Sequence, residues 1–443
     1  MDMPAPEPLR RNSTAGSDAL FARALKVMPG GSTRAASFFD PHPPYAAGGA
    51  GARITDVDGN VYLDFSNNFF SQIHGHAHPE IVAAIIGQVK SGTSFPLPTE
   101  TEVLLAEEIC GRSPALEAIR FANSGTEGVM AAIKAARAFT GRPAIAKIEG
   151  AYHGSYDHVE ISLDGAPANW GTAGAPARIA YARGTPDAVV ADTVVVPFDD
   201  AEACRRILEA NADRLAAVLL DVQPSRVGMI PASQAFVDTL RAVTRELGIL
   251  LIVDEVVTYR LSHGGAHPLW NLTPDLVALG KVIGGGMPIG AVAGRRDVMS
   301  VFDSRGRKPD VAQGGTFTAN PLTMIAGLTA LRLLDRAAIT RINALGDRLR
   351  AGIVAKAAAC GVPVQVTGLG SFFRIHLTDA PITGYRSAFP SDETKRRVAT
   401  LHRTLLDQGF LVTPNVSGTL STPMTDSDID SFVQAVGEIL PTL

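Results

Sequence analysis

The chain has 443 residues, of which 46% are hydrophobic and 19% are charged, and its formal net charge is −4. This length is too great for one small core and indicates two or three domains, or one large and one small. The slightly acidic balance argues against nucleic acid as a partner. The apolar runs are far shorter than the roughly 20 residues of a membrane helix, which argues against a membrane.

The chain begins with a polar, proline-rich stretch. Residues 1–17 lack the apolar centre of a secretory signal, so we expect them to form a mobile arm. Three cysteines, at positions 110, 204 and 360, are far apart and match no metal-ligand spacing, so no metal site is predicted. This sparse, odd number of cysteines favours a soluble protein of the reducing cytoplasm over a disulfide framework.

A short motif precedes the first long helical pattern. Asn123–Glu127 comes just before an alanine-rich segment that ends near Gly141. Ser124, Gly125 and Thr126 would present hydroxyl and backbone N–H groups at the N-terminus of this helix, where the macrodipole favours a phosphate. The alternative is an ordinary helix cap.

Two further glycine-containing motifs are candidates for ligand binding. Gly150–Gly154 follows a predicted strand at residues 144–149, and its Tyr152 could stack on a flat cofactor or serve as a core tyrosine. Gly314–Pro321 is a polar, glycine-rich turn that could supply another phosphate ligand.

The middle of the chain alternates short apolar stretches with a helical pattern. Residues 217–222, 249–253 and 276–279 are typical of buried strands. Residues 233–247 are typical of a helix that Ser233 caps. Strand, helix and strand at this spacing predict an α/β fold with a mostly parallel sheet covered on both faces.

Two reactive side chains follow these strands. Asp254 comes directly after strand 249–253, and Lys281 follows strand 276–279. In parallel sheets, ligands bind beyond the carboxyl ends of the strands. A carboxylate there needs a cationic partner, and a dehydrated lysine favours the neutral amine that attacks an aldehyde. Taken alone, Lys281 would be read as a solvated residue at a strand end.

The last part of the chain changes character. Helical patterns are followed by residues 362–366 and 371–377, which are typical of antiparallel strands. A terminal helix follows, with Thr425 and Asp428 as a capping box.

These patterns predict the division of the chain into domains. We expect a large ligand-binding domain over residues 66–325 and a small α+β domain over residues 326–443. Residues 18–65, which include strands near 52–65, would pack beside the small domain.

Pyridoxal 5′-phosphate is the cofactor that these groups would suit. It needs a lysine for its aldehyde, an aspartate for its ring nitrogen, an aromatic face for its ring and a site for its phosphate. The motifs SGTE, GAYHG, DEV, LGK-VIGGG and GTFTANP, in this order, resemble those of the class III, fold-type I aminotransferases. The similarity is greatest to the subgroup of glutamate-1-semialdehyde aminomutase and the β-amino-acid (β-phenylalanine) aminotransferases. It runs from about Pro29 to the C-terminus and implies a seven-stranded, mostly parallel sheet between helices.

The resemblance implies a role for each matching residue near the cofactor ring. Lys281 would form the Schiff base and carry the proton of the 1,3-transfer. Asp254 would hold the pyridinium nitrogen and so maintain the electron sink. Tyr152 would stack on the ring, and His153 of the same motif would also contact the cofactor.

It likewise implies how the phosphate and the subunits are arranged. Ser124, Gly125 and Thr126 would bind the phosphate. Thr316 would bind it from the neighbouring subunit, so the active unit would be a homodimer.

Substrate contacts are also implied. Arg34 matches the position at which this subgroup places an arginine for a substrate carboxylate, a task that suits a guanidinium; the alternative is a surface arginine. Asn68 lies in a loop that would shape the pocket, and Arg260 is the first substitute for Arg34.

The chain departs from the family pattern at several places. Val257 stands where many members have a glutamine that bonds the cofactor hydroxyl, and Asp221-Val222 stands where they have Glu-Pro. The stretch around Asn415 has no arginine, which puts in doubt how a dicarboxylate such as 2-oxoglutarate would be held.

These observations favour an aminotransferase that moves an amino group from an amine donor, a β-amino acid among the candidates, to a 2-oxo acid by a ping-pong mechanism. The alternatives are an aminomutase acting on an amino aldehyde and an amine transaminase without a carboxylate requirement. A regulatory protein with little turnover is disfavoured, because the pair Lys281 and Asp254 is intact.

Overall fold

The computed structural model describes residues 13–443. Most of the predicted arm, residues 1–17, lies outside the described residues, and the first helix already begins at Ala15. The helices are α1 Ala15–Ala24, α2 Asn67–Phe70, α3 Pro79–Val89, α4 Glu100–Arg112, α5 Gly125–Thr140, α6 Asp157–Glu160, α7 Asp187–Ala191, α8 Ala201–Glu209, α9 Gln234–Glu246, α10 Arg296–Met299, α11 Pro321–Leu333, α12 Arg336–Cys360, α13 Asp392–Asp407 and α14 Asp426–Ile439.

The strands are short, and most belong to three sheets. They are β1 Ala46–Ala50, β2 Arg53–Asp56, β3 Val61–Asp64, β4 Ala118–Ala122, β5 Ala144–Ile148, β6 Gly171–Thr172, β7 Ala175–Pro176, β8 Thr193–Val196, β9 Leu215–Leu220, β10 Leu250–Asp254, β11 Leu276–Gly280, β12 Gly290–Gly294, β13 Gln365–Thr367, β14 Phe372–His376, β15 Phe410–Leu411 and β16 Ser417–Thr419.

The chain groups into two compact units. The first comprises the N-terminal residues up to Pro79 together with Thr340–Pro381 and Pro390–Leu443. The second comprises Glu80–Ile339 and the short segment Ile382–Phe389.

The second unit is built on the seven-stranded sheet that the resemblance implies. Its strand order is β4-β12-β11-β10-β9-β5-β8, and only β12 runs antiparallel to its neighbours. Strands β5, β9, β10 and β11 are buried along their whole length, as their apolar runs predict. The α/β fold with a mostly parallel sheet is therefore confirmed.

The helix predicted over residues 233–247 forms as α9. The hydroxyl of Ser233 accepts a hydrogen bond from the N–H of Phe236 and caps its first turn. Phe236, Leu240 and Val243 are buried on one face, as their spacing predicts.

The first unit contains two small sheets, β1-β2-β3-β15 and β13-β14-β16. Its core includes an aromatic cluster in which the ring centroids of Phe65 and Phe432 are 4.4 Å apart and those of Phe373 and Phe432 are 5.5 Å apart.

Across residues 13–443, no helix combines the length and the apolar character needed to cross a membrane.

The turn α2 of the first unit has an uncommon backbone. Asn67, Asn68, Phe69 and Phe70 all have positive φ angles, between 46° and 74°, so the turn is left-handed. Residues other than glycine rarely adopt this conformation, and consecutive ones are rarer still. The side chain of Asn67 donates to the carbonyl oxygen of Thr419 at 2.7 Å, which ties the turn to strand β16.

The predicted capping box of the terminal helix is present and gives a test of local stability. Thr425 Oγ1 accepts from the N–H of Asp428, and a carboxylate oxygen of Asp428 accepts from the N–H of Thr425. Thr425→Ala should lower the free energy of unfolding by about 1 kcal/mol in urea titration, because one N-terminal N–H group loses its partner. Ser427→Ala, an exposed change in the same helix, is the control, and an equal effect of both variants would contradict the capping role.

Candidate active site

Three neighbouring strands of the large sheet end in ionisable side chains. Val253 pairs with Leu220 in register, so the next residues, Asp254 and Asp221, lie side by side at the ends of β10 and β9. Asp254 pairs with Ala278 of β11, and Lys281 directly follows that strand. The register therefore brings two carboxyl groups and one amine to the same edge of the sheet.

Lys281 has a strained backbone and a dehydrated amine. It has a φ angle of 51°, which is uncommon for a residue other than glycine, and it begins a 3₁₀ turn that ends at Gly284. Burial lowers the pKa of the Lys281 amine, although the charges of Asp254 and Asp221 oppose this change. Within residues 13–443 the amine donates no hydrogen bond to another residue, so it is available to a ligand.

Lys147 is a second lysine whose pKa burial lowers, and sequence reasoning did not single it out. It lies in the middle of the sheet, in β5, and is fully buried. Burial lowers the pKa of Lys147 to about 7. Its amine, however, donates to the carbonyl oxygens of Ile148 and Ile161 at 2.9 and 3.0 Å. Lys147 is thus enclosed and hydrogen-bonded, whereas Lys281 is partly exposed, so exposure and hydrogen bonds both distinguish the two lysines.

Asp254 is bonded on one side to His153. His153 Nδ1 and Asp254 Oδ2 are 2.7 Å apart, and Asp254 Oδ1 accepts from the N–H of Val256 at 3.0 Å. Burial lowers the pKa of His153, while the hydrogen bond to Asp254 raises it. The imidazole Nε2 is buried without a hydrogen-bond partner among the described residues. The motif that contains His153 was recognised from the sequence, but its bond to Asp254, 101 residues away, was not.

The carboxyl group of Asp221 has an environment that favours its neutral form. Burial raises the pKa of Asp221 to about 8, and the charge of Asp254 adds to the effect. Its Oδ1 accepts from the N–H of Gln223 at 2.9 Å.

The N-terminus of α5 lies at the same edge of the sheet, because it directly follows β4. Ser124 caps the helix, and its hydroxyl accepts from the N–H of Glu127 at 3.2 Å. Within the described residues, the N–H groups of Gly125 and Thr126 make no hydrogen bond, so both are available to an anion. Gly154 packs closely on this helix start: a Cβ atom there would lie 2.4 Å from Thr126 Oγ1.

The residues present fit pyridoxal 5′-phosphate. An amine without a hydrogen bond, a buried carboxylate and an anion-binding helix start meet the needs of its aldehyde, ring nitrogen and phosphate. Tyr152, which precedes His153, is 46% exposed and offers an aromatic face that a flat ring would cover.

The remaining predicted site residues lie in different places. Arg34 and Asn68 belong to the first unit, where Arg34 Nη1 donates to Asn68 Oδ1 at 2.7 Å and both line a cavity of about 420 Å³. Arg260 is fully buried, and burial lowers the pKa of its guanidinium to about 9. Thr316 is exposed and lines a separate cavity of about 550 Å³ together with Phe95.

The second unit also contains a serine, histidine and glutamate in series. Ser113 Oγ is 2.8 Å from His267 Nε2, and His267 Nδ1 is 2.8 Å from Glu255 Oε1. This order of contacts is that of a hydrolase triad. All three residues are at most 3% exposed, so a substrate cannot reach the serine, and we assign the series a structural role.

Comparison with known proteins agrees with this geometry. A family model described as "Aminotransferase class-III" matches residues 41–436. A glutamate-1-semialdehyde 2,1-aminomutase of Methanothermobacter thermautotrophicus is 40% identical over 96% of this chain and 99% of its own length.

Three of the similar solved structures are transaminases. An omega-transaminase from Sphaerobacter thermophilus is 48% identical with a TM-score of 0.94, covering 96% of this chain and 97% of that one. A transaminase with PLP bound is 43% identical, with a TM-score of 0.91 and 98% of each chain covered. A beta-phenylalanine aminotransferase from Variovorax paradoxus is 34% identical with a TM-score of 0.86, covering 97% of this chain and 94% of that one.

Lys281 and Lys147 give a direct test of the site. Borohydride reduction of the protein with bound pyridoxal phosphate should attach the cofactor to Lys281 and leave Lys147 unmodified, because the amine of Lys147 is occupied by two carbonyl groups. Peptide mass spectrometry identifies the labelled lysine. Label on Lys147, or unchanged visible absorbance of bound cofactor in Lys281→Ala, would show the assignment to be wrong.

Proposed function

Because the chain belongs to the class III aminotransferases and is a pyridoxal-phosphate-dependent transaminase, we propose that it moves an amino group from an amine donor to a 2-oxo acid by a ping-pong mechanism. We propose β-amino acids among the donors. The observation that carries the proposal is the meeting of Lys281, Asp254 and His153 at one edge of the sheet.

Each of these residues has a defined task in the proposal. Bound pyridoxal phosphate supplies an electron sink that stabilises negative charge at the reacting carbon. Asp254 holds the positive charge of the ring nitrogen, and His153 orients its carboxylate. Lys281 would hold the cofactor through its aldehyde, and its Nζ would move a proton during the transfer. Burial favours the neutral amine that both tasks require.

The phosphate and the ring face are assigned to the residues around α5. Ser124, Gly125 and Thr126 bind the phosphate through hydroxyl and N–H groups at the positive end of the helix dipole. Tyr152 covers the ring.

An aminomutase of the glutamate-1-semialdehyde type is the second candidate, because relatives 36–40% identical carry that name. A transaminase mixed with an amine donor alone should convert its cofactor to the aminated form and release one equivalent of oxo product. An aminomutase should instead interconvert its substrate and product without any added acceptor. Rapid-scan absorbance and product analysis with a panel of donors separate the two.

Replacement of the ring-nitrogen partner tests the role of Asp254. Asp254→Asn should fold and bind the cofactor but lose at least ~3 kcal/mol of transition-state stabilisation, or roughly a hundredfold in kcat/KM, because a preorganised charge is removed. The exposed Asp310→Asn is the control. Near-normal turnover of Asp254→Asn would disprove this role.

We propose that the active enzyme is a homodimer in which Thr316 reaches the phosphate of the partner. Exposed apolar side chains near Thr316 support this proposal: Leu97, which lines the same cavity, is 72% exposed, and Phe317, the next residue, is 63% exposed. Val82, Ile86 and Val89 are also exposed, on one face of α3. We infer that a second copy of the chain covers these apolar side chains in the active enzyme.

Mixed dimers test the shared site. Lys281→Ala and Thr316→Asp should each be inactive, the second because a carboxylate repels the phosphate. Mixed dimers of the two should regain activity, since one site then combines an intact Lys281 with an intact Thr316. Sedimentation should show dimers throughout. An active monomer, or mixed dimers that stay inactive, would contradict the proposal.

Arg34 is proposed to bind the carboxylate of the donor and then that of the acceptor acid. Loss of this charge-assisted pair should cost about 1.5–3 kcal/mol, so Arg34→Ala should lower kcat/KM for amino acids by roughly tenfold to a hundredfold and spare simple amines. Arg23→Ala, on α1, is the control. Equal losses for both substrate classes would make Arg34 structural and leave Arg260, despite its burial, as the next residue to test.

We also propose that the protein acts in the cytoplasm. In the described part of the chain, Cys110, Cys204 and Cys360 are all free thiols, which suits a reducing compartment.

A further inference from the structure

The turn Gly150–Gly154, which carries Tyr152 and His153, contacts a segment from a distant part of the chain. Ile382–Phe389 groups with the second unit, although the residues on both sides of it in sequence group with the first. This excursion brings Tyr385 and Arg386 to the start of the turn. Neither residue has a task in the proposed transfer reaction.

All three nitrogen atoms of the Arg386 guanidinium donate hydrogen bonds. Its Nε and Nη2 donate to the two carboxylate oxygens of Glu149 at 3.0–3.3 Å. Nη1 and Nη2 also donate to the carbonyl oxygens of Trp170, Gly171 and Thr172 at 2.7–2.9 Å. The guanidinium carbon lies 5.0 Å from the centre of the Trp170 ring. The side chain of Glu149 is only 6% exposed, so removal of its partner would leave a buried charge.

Tyr385 supports the next residue of the turn. Its hydroxyl donates to the carbonyl oxygen of Gly165 at 2.6 Å, and its ring lies against Gly150. A Cβ atom at Gly150 would be 2.1 Å from the ring, and the φ angle there is 73°, so both the space and the backbone require glycine. Glu149 and Gly150 are consecutive, and together they fix the point at which β5 enters the turn.

The far end of the turn meets the cofactor site. His153 bonds Asp254 at 2.7 Å, and Gly154 lies against Thr126 at the start of α5. Both ends of a five-residue turn are thus restrained, one by Arg386 and Tyr385 and the other by the site itself.

We propose that Arg386 and Tyr385 are positioning residues that set the height and direction of Gly150–Gly154, and through it the ring of Tyr152 and the imidazole of His153. This inference rests on the proposed function, because it concerns the same cofactor site. The segment Ile382–Phe389 therefore supports cofactor binding indirectly, without contacting the cofactor itself.

The test is a cofactor titration of the full chain after removal of bound cofactor. Arg386→Ala should raise the dissociation constant of pyridoxal phosphate by about tenfold to a hundredfold, the size of effect expected when a binding group is displaced by about 1 Å. The visible circular dichroism of the bound cofactor should weaken, because Tyr152 and His153 no longer hold one orientation. Arg386→Lys should not restore either property, since an ammonium group cannot bond five acceptors in a plane.

Arg142 provides a matched control at the opposite edge of the sheet. Its guanidinium also joins three carbonyl oxygens, those of Leu215, Leu247 and Gly248, at 3.0–3.2 Å. Arg142→Ala should lower the thermal midpoint but leave the dissociation constant and the dichroism unchanged. If it weakens cofactor binding as much as Arg386→Ala does, the effect is general destabilisation and the inference is overturned.

A double variant separates positioning from neutralisation of charge. Glu149→Gln with Arg386→Met removes both members of the ion pair, so the thermal midpoint should recover relative to Arg386→Ala while the dissociation constant stays raised. Recovery of both, or unchanged binding in every Arg386 variant, overturns the inference but leaves the proposed function standing. A wild-type protein that binds no pyridoxal phosphate would instead overturn the proposed function itself.

Discussion

The charge of Asp254 is the constraint on which the rest of the second unit depends. The residue ends a fully buried strand, where an unpaired carboxylate would cost several kcal/mol. His153 and the N–H of Val256 satisfy part of it, and the neighbouring Asp221 favours its neutral form. Its carboxylate still lacks a cationic partner among the described residues, and we propose that a protonated ring nitrogen of the cofactor supplies one.

Buried polar groups at the two edges of the sheet differ in whether they have hydrogen-bond partners within the protein. At the edge where β10 and β11 begin, Asp275 is bonded by Arg241, Arg295 and the N–H of Leu251, so its carboxylate is satisfied by the protein alone. At the other edge, the amine of Lys281 and one imidazole nitrogen of His153 lack partners within residues 13–443. The carboxylate of Asp275 thus finds its partners within the described part of the protein, whereas the amine of Lys281 and Nε2 of His153 do not.

Much of the sheet could be predicted, because β9, β10 and β11 are mainly apolar runs and the reactive residues Asp254 and Lys281 lie at the ends of two of them. The cap of α9 was predictable for a similar reason, since its signal is local. Contacts between distant residues have no such pattern. The bond from His153 to Asp254 and the return of residues 382–389 to the second unit depend on the folded chain. The hydrogen bonds of the Lys147 amine to the carbonyl oxygens of Ile148 and Ile161 likewise depend on the folded chain.

The left-handed turn α2 restricts which amino-acid substitutions this protein can accept during evolution. A residue other than glycine in this conformation costs roughly 1–2 kcal/mol, so the four positions form a store of backbone strain beside the cavity of Arg34. Glycine or asparagine at position 68 would keep or relieve that strain, whereas a β-branched residue would add to it. Natural variation at the wall of this cavity is thereby restricted by the backbone, and new specificities should arise more readily from the facing residues, such as Phe39 and Leu411, than from the turn.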